Sequence, residues 1–166
     1  MNKEQKRKVQ LQQRTLNESL TFQTMFGAKQ KFDSLTPEIE TRIKEELLVF
    51  ANLGIAKDLM TLRDVMDKVK EQLGYSAEPS KGILAGSYVA YCLGLEPSNP
   101  MVTGKEIEKK DFQVTLPLGL TICYDNEVRN EVVKWMKEQG CEFTTYMSQP
   151  MLKLENTRVI IRRVLK

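Results

Sequence analysis

The chain has 166 residues, 41% of them hydrophobic and 28% charged, with a net charge of +3, the profile of one ordinary soluble globular domain. It contains no histidine, which excludes Ser-His-Asp and Cys-His hydrolases and leaves carboxylate–metal chemistry, a lysine mechanism or no catalysis. No apolar run approaches the roughly 20 residues of a membrane helix, and the start MNKEQKRKVQLQQR leads into no signal-peptide core, so a cytoplasmic protein without a membrane partner is expected.

In chain order, residues 1–34 are polar, basic and weakly periodic, and are expected as a separate, weakly ordered or helical segment anchored by Leu16, Leu20, Phe22 and Phe26. Residues 35–166 are expected as a single domain. In LTPEIETRIKEELLVFANLG, Thr36 caps a helix, Pro37 suits its first position, and Ile39, Ile43, Leu47 and Phe50 share a face up to Gly54. A second helix, TLRDVMDKVKEQLG, is expected to start at Thr61, with Leu62, Val65, Met66, Val69 and Leu73 as its stripe.

SKGILAGSYVAYCLGLEPSNP then places a Gly-Ser pair before a helix with Leu84, Tyr88, Tyr91, Cys92 and Leu95 on one face. Such a pair either binds an anion on the helix amides or forms a tight turn into a packing helix. DFQVTLPLGLTICYD reads as strand, interrupted at Pro117 and Gly119. Asp125 is expected to cap a helix whose stripe is Val128, Val132, Trp135 and Met136. CEFTTYM reads as strand; in the tail, Glu155-Asn156 turns a hairpin into RVIIRRV, or the segment is helical. Helices precede strands, which makes the fold class α+β. Cys92, Cys123 and Cys141 lack metal-ligand spacing and read as buried, reduced thiols.

Both ends are basic. Residues 1–14 carry five cations against Glu4, residues 153–166 carry five against Glu155, and the body between them is net acidic. Such ends suit a polyanion or merely aid solubility.

The order of an E-E-L helix, a helix ending E-Q-L-G, the A-G-S-Y-V-A-Y-C-L-G-L stretch with N-P after it, an L-P strand and an R-N-E-V-V-K-W-M-K-E-Q-G helix resembles the palm of bacterial C-family replicative polymerases, the DNA polymerase III alpha subunits. That family carries G-R-G-S-A-A-G-S-L-V-A-Y-x-L-G-I, then L-P-D-x-D-x-D-F. The resemblance spans residues 36–140. It implies a polymerase-beta-like palm, with N-terminal helices followed by a small mixed or antiparallel sheet.

By resemblance, Lys81 stands at the arginine of the family's glycine-rich loop, and Gly86 and Ser87 stand at the Gly-Ser that meets the triphosphate. With Gly82 these form a vestigial phosphate site, narrowed because Ile83 and Leu84 replace Ser and Ala. Leu118, Leu120 and Ile122 fall where the metal-binding aspartates are required. Two-metal phosphoryl transfer needs paired carboxylates about 4 Å apart, so no catalytic residue, no metal site and no Mg2+ binding are expected. The implied function is a truncated, non-catalytic palm in nucleic-acid or replication-associated binding. DNA would be held weakly and without sequence preference, with Arg158, Arg162 and Arg163 on its phosphates. The alternatives are a protein-interaction module that has lost catalysis and DNA binding, and residual nucleotide-binding or nucleotidyltransferase activity. The helix near Gly82 is expected to pack on a sheet containing residues 112–124, with Gly86-Ser87 at its exposed end and Tyr88, Tyr91 and Cys92 buried.

Overall fold

The computed structural model describes residues 1–108 and 115–165; the start of the expected strand, at residues 111–114, lies outside them. Asn2 opens the first helix with a capping box: its side chain accepts from the Gln5 N–H at 2.8 Å, and the Gln5 side chain accepts from the Asn2 N–H at 3.0 Å. Helix α1 then runs over Lys3–Lys31. Its first half is exposed on every side, while the second half buries Leu20, Thr24, Gly27 and Ala28. Phe22 and Phe26, expected as anchors, are instead 72% and 58% exposed. Two residues turn a helix by about 200°, so Phe22 must face away from Leu20. Small residues occupy the inner face because this helix makes backbone contact there. A Cβ on Gly27 would lie 2.0 Å from the carbonyl oxygen of Cys92.

Helix α2, Pro37–Leu53, begins where the capping signals put it, with Thr36 Oγ1 accepting from the Ile39 N–H at 3.2 Å. Ile39, Ile43, Leu47 and Phe50 are buried, and Gly54 ends the helix in the left-handed region. Helix α3 covers Ala56–Leu73 and starts five residues before the expected cap. Thr61 lies inside it, because burial of Ile55, Ala56 and Leu59 extends the apolar stripe backward past the threonine.

Beyond α3, Ile83–Gly86 is a 3-10 turn, followed by two short helices, α4 (Tyr88–Leu93) and α5 (Pro100–Thr103). The 3-10 turn lies against the sheet, and α4 packs chiefly against α1 and α2. Tyr88 and Cys92 are buried, whereas Tyr91 is half-buried with its ring edge-on to Phe32 at 5.6 Å.

Strand β1 is Leu118–Asp125, and α6 is Arg129–Glu138. Asp125 does not cap α6 with its side chain; its carbonyl accepts from the Val128 N–H at 3.0 Å, turning the strand directly into the helix. Strands β2 (Phe143–Tyr146), β3 (Gln149–Lys153) and β4 (Thr157–Val164) follow, so the tail is a hairpin. The sheet order is β1-β4-β3-β2, with β1 and β4 parallel and the other pairs antiparallel. One face carries Leu118, Leu120, Ile122 and Tyr124 with Val159 and Ile161, all buried, and Val132 and Met136 of α6 complete that core. Asp58 of α3 fastens the hairpin, accepting from the Asn156 N–H at 2.7 Å and the Thr157 hydroxyl at 3.1 Å. The described residues therefore form an α+β fold of six α-helices and a four-stranded mixed sheet, as expected. No helix among them is long and apolar enough to cross a membrane.

Candidate nucleic-acid interface

The Gly-Ser pair lies inside the protein, not at an exposed helix end. Ser87 is fully buried, and its Oγ caps α4 by accepting from the Ala90 N–H at 3.0 Å. The same hydroxyl donates to Glu46 Oε1 at 2.6 Å. Glu46 also accepts from the Val89 N–H at 3.0 Å and from the Tyr88 N–H at 2.9 Å. Every amide at the mouth of α4 is thus satisfied from within, and the anion there is a carboxylate of α2. Burial raises the Glu46 carboxyl above its ordinary range, although the bonds from Ser87, Val89 and Tyr88 pull the other way. Gly86 has its own packing reason: a Cβ there would sit 2.9 Å from the backbone carbon of Glu106. The chain over residues 104–108 thus closes the turn from outside, with Glu106 ion-paired to Arg42.

Lys81, Gly82 and Gly86 line one pocket of about 740 Å³ with Gly104, Lys105, Glu106 and Glu108, and Lys81 and Gly82 also face the sheet. With Pro79 they line a cleft of about 530 Å³ whose remaining walls are Thr121 and Cys123 of β1, Gln149 of β3, and Arg162, Arg163 and Val164 of β4. Gly82 lies on Thr121, where an added Cβ would come within 3.3 Å of the threonine Cβ. Strand alternation explains the wall: Thr121 and Cys123 pair with Ile160 and Arg162, on the face opposite the core. Lys81 and Arg162 therefore meet from a loop and a strand about 80 residues apart. Arg163, paired with Tyr124 on the opposite face of the strand and close enough to act on Arg129 of α6, also borders the cleft. No carboxylate among the described residues lines it. Among the described residues, none of the three has an ion-pair partner. Glu96, whose charge reaches Cys123, is buried and held by the Ser80 N–H at 3.1 Å, the Ser80 hydroxyl at 2.8 Å and the Ser98 N–H at 3.0 Å. Burial pushes the Cys123 thiol up, with Arg162 acting against it.

Arg158 is separate from this group. It shares the outer face with Arg162 by register, but its Nη1 donates to the carbonyls of Leu154 at 2.6 Å and Thr157 at 2.9 Å, locking the β3–β4 turn.

Comparison with known families matches residues 16–152 to the bacterial DNA polymerase III alpha NTPase domain. The chain belongs to that family. Against the DNA polymerase III subunit alpha of Yersinia pestis it is 28% identical over 100 residues, covering 59% of this chain but only 8% of that protein. Residues 1–15, the exposed half of α1, precede the matched stretch.

Leu118, Leu120 and Ile122, aligned on Leu116-Pro117 with the family's carboxylates, face the hydrophobic core. The side chains that reach the cleft alternate with them, at Thr121 and Cys123. Glu46 is the residue that the motif reading missed. Its signal was present: Ile39, Ile43, Glu46, Leu47 and Phe50 follow one helical stripe, and the glutamate interrupts its apolar run.

Proposed function

We propose that this member of the DNA polymerase III alpha NTPase domain family is non-catalytic and binds nucleic-acid backbone through the Lys81–Arg162–Arg163 cleft, in a replication-associated role in the cytoplasm. The meeting of Lys81 and Arg162, with Arg163 bordering the same cleft and none of the three ion-paired among the described residues, carries the reading. Guanidinium groups suit phosphate oxygens, and contacts to phosphate are independent of sequence. Two-metal chemistry does not fit the residues present. The cleft side of β1 offers glycine, threonine and cysteine, the core side leucine and isoleucine, and no cluster of three metal-ligating side chains occurs among the described residues. No step through a metal is therefore derived.

Fluorescence anisotropy with labelled single-stranded DNA over a salt series tests the proposal. Wild type should bind at low salt, and Lys81→Ala, Arg162→Ala and Arg163→Ala should each reduce the salt slope by about 0.7 units, the value for one single-strand phosphate contact. Arg158→Ala should lower stability and leave that slope unchanged. Primer extension with Mg2+ or Mn2+ should be undetectable. A wild type that binds no DNA at low salt defeats the reading, and the protein-interaction module takes its place; primer extension defeats its non-catalytic part.

A further inference from the structure

The first half of α1 is a second basic surface, apart from the cleft. Residues 3–15 form about 20 Å of helix, all of it exposed, carrying Lys3, Lys6, Arg7, Lys8 and Arg14 against Glu4. Only Arg14 has an ion-pair partner among the described residues, the exposed i+4 bridge to Glu18 at 3.1 Å, which contributes little. A polar helix with one such pair and no apolar face toward the fold has little of its own to hold it helical.

The arrangement of the charges narrows the partner. Lys6 and Lys8, two residues apart, point to nearly opposite sides of the helix, while Lys3, Arg7 and Arg14, at spacings of four and seven, share a third side. A single flat strand would meet only one of these sides. A helix about 10–12 Å across fits the roughly 12 Å major groove of B-form DNA, where phosphates flank it on both walls. The major groove of an RNA duplex is too narrow and deep to admit it.

We infer that the N-terminal half of α1 is a DNA arm that lies in the major groove of a duplex and contacts phosphates on both walls, without base readout. Its cations act on the duplex independently of the cleft, which takes single strands under the function proposed above.

The test compares wild type with the quadruple variant Lys3→Gln, Lys6→Gln, Arg7→Gln, Lys8→Gln, in which glutamine keeps the helix propensity while removing charge. Anisotropy is read against duplex DNA, duplex RNA and single-stranded DNA over a salt series. The expected result is a loss of about tenfold or more on duplex DNA at low salt, with the slope reduced by three to four units, about 0.9 per contact. Single-stranded binding should be unchanged, and circular dichroism should show a gain of helix when duplex DNA is added to wild type. Equal losses on all three polyanions would mean general charge attraction and overturn the arm. So would unchanged duplex binding, or a wild type that ignores duplex DNA. Failure of the cleft reading appears separately, as absent single-stranded binding in wild type.

Discussion

Glu46 lies one turn beyond Arg42 on α2, and its carboxylate collects three donors from residues 87–89. Each would be a buried, unsatisfied donor without it, at about 1–3 kcal/mol apiece. Glu46→Ala should therefore cost about 3 kcal/mol in urea denaturation. Glu46→Gln, which retains one acceptor oxygen, should cost about 1 kcal/mol. The carboxyl also makes stability depend on pH. Its folded pKa is raised above the ordinary 4.5, chiefly by burial, so the native state holds the proton to higher pH than the unfolded chain. The stabilising contribution is complete below 4.5 and is lost as pH rises through the folded value. Unfolding midpoints taken from pH 4 upward should fall more steeply for wild type than for Glu46→Gln. A wild type that gains on the glutamine variant with rising pH would show the opposite linkage.

Two elements meet their neighbours under tight geometric limits. The inner face of α1 reaches the backbone of α4 at Gly27, where an added Cβ would fall 2.0 Å from the Cys92 oxygen, inside any possible contact. Gly27→Ala should push the two helices apart and destabilise the protein by about 3 kcal/mol, read as a shift in denaturation midpoint. Strand β1 separates two chemistries by its pleat. Leu120→Asp would bury an unpaired carboxylate in the core and should cost at least about 3 kcal/mol. Thr121→Asp places the same carboxylate in the basic cleft. That variant should fold and lose affinity for single-stranded DNA, because its charge neutralises the neighbouring cations. If Leu120→Asp proved harmless while Thr121→Asp unfolded the chain, the faces of β1 would be the reverse of those described.

At the scale of the molecule, α1 joins two regimes. Its second half shares the hydrophobic core through Leu20 and Ala28, with Phe32 immediately after the helix, while residues 1–15 bury nothing. A chain beginning at Leu16 should keep its stability within about 0.5 kcal/mol, since deleting exposed residues removes no packing. A chain beginning after Ala28 should not fold cooperatively, because the buried Leu20 and Thr24 would be lost from the fold and Gly27 from its contact with α4. Differential scanning calorimetry on the two truncations separates these outcomes. The sheet side is coupled to the helices by Asp58 through the hairpin turn, so both halves should melt in a single transition.

What could be read in the residues alone was what neighbours along the chain determine. Thr36, Pro37 and Gly54 bound α2 through forces acting within one helical turn, whereas Glu155-Asn156 left hairpin and helix both open for the tail, where the structure has a hairpin fastened by the distant Asp58. The ordered motifs led to the family because such signals survive in sequence order. A local signal failed where burial outweighed it: at Thr61 the cap preference, of about 1 kcal/mol, yields to the packing of Ile55 and Leu59. The placement of Glu46 on Ser87, 41 residues away, is a tertiary fact. So are the face of β1 that carries Thr121 and the meeting of Lys81 with Arg162 and Arg163. Partners this far apart are selected by how helices and sheet pack together, and only that packing decided that a glutamate of α2 accepts from the donors of the Gly-Ser turn.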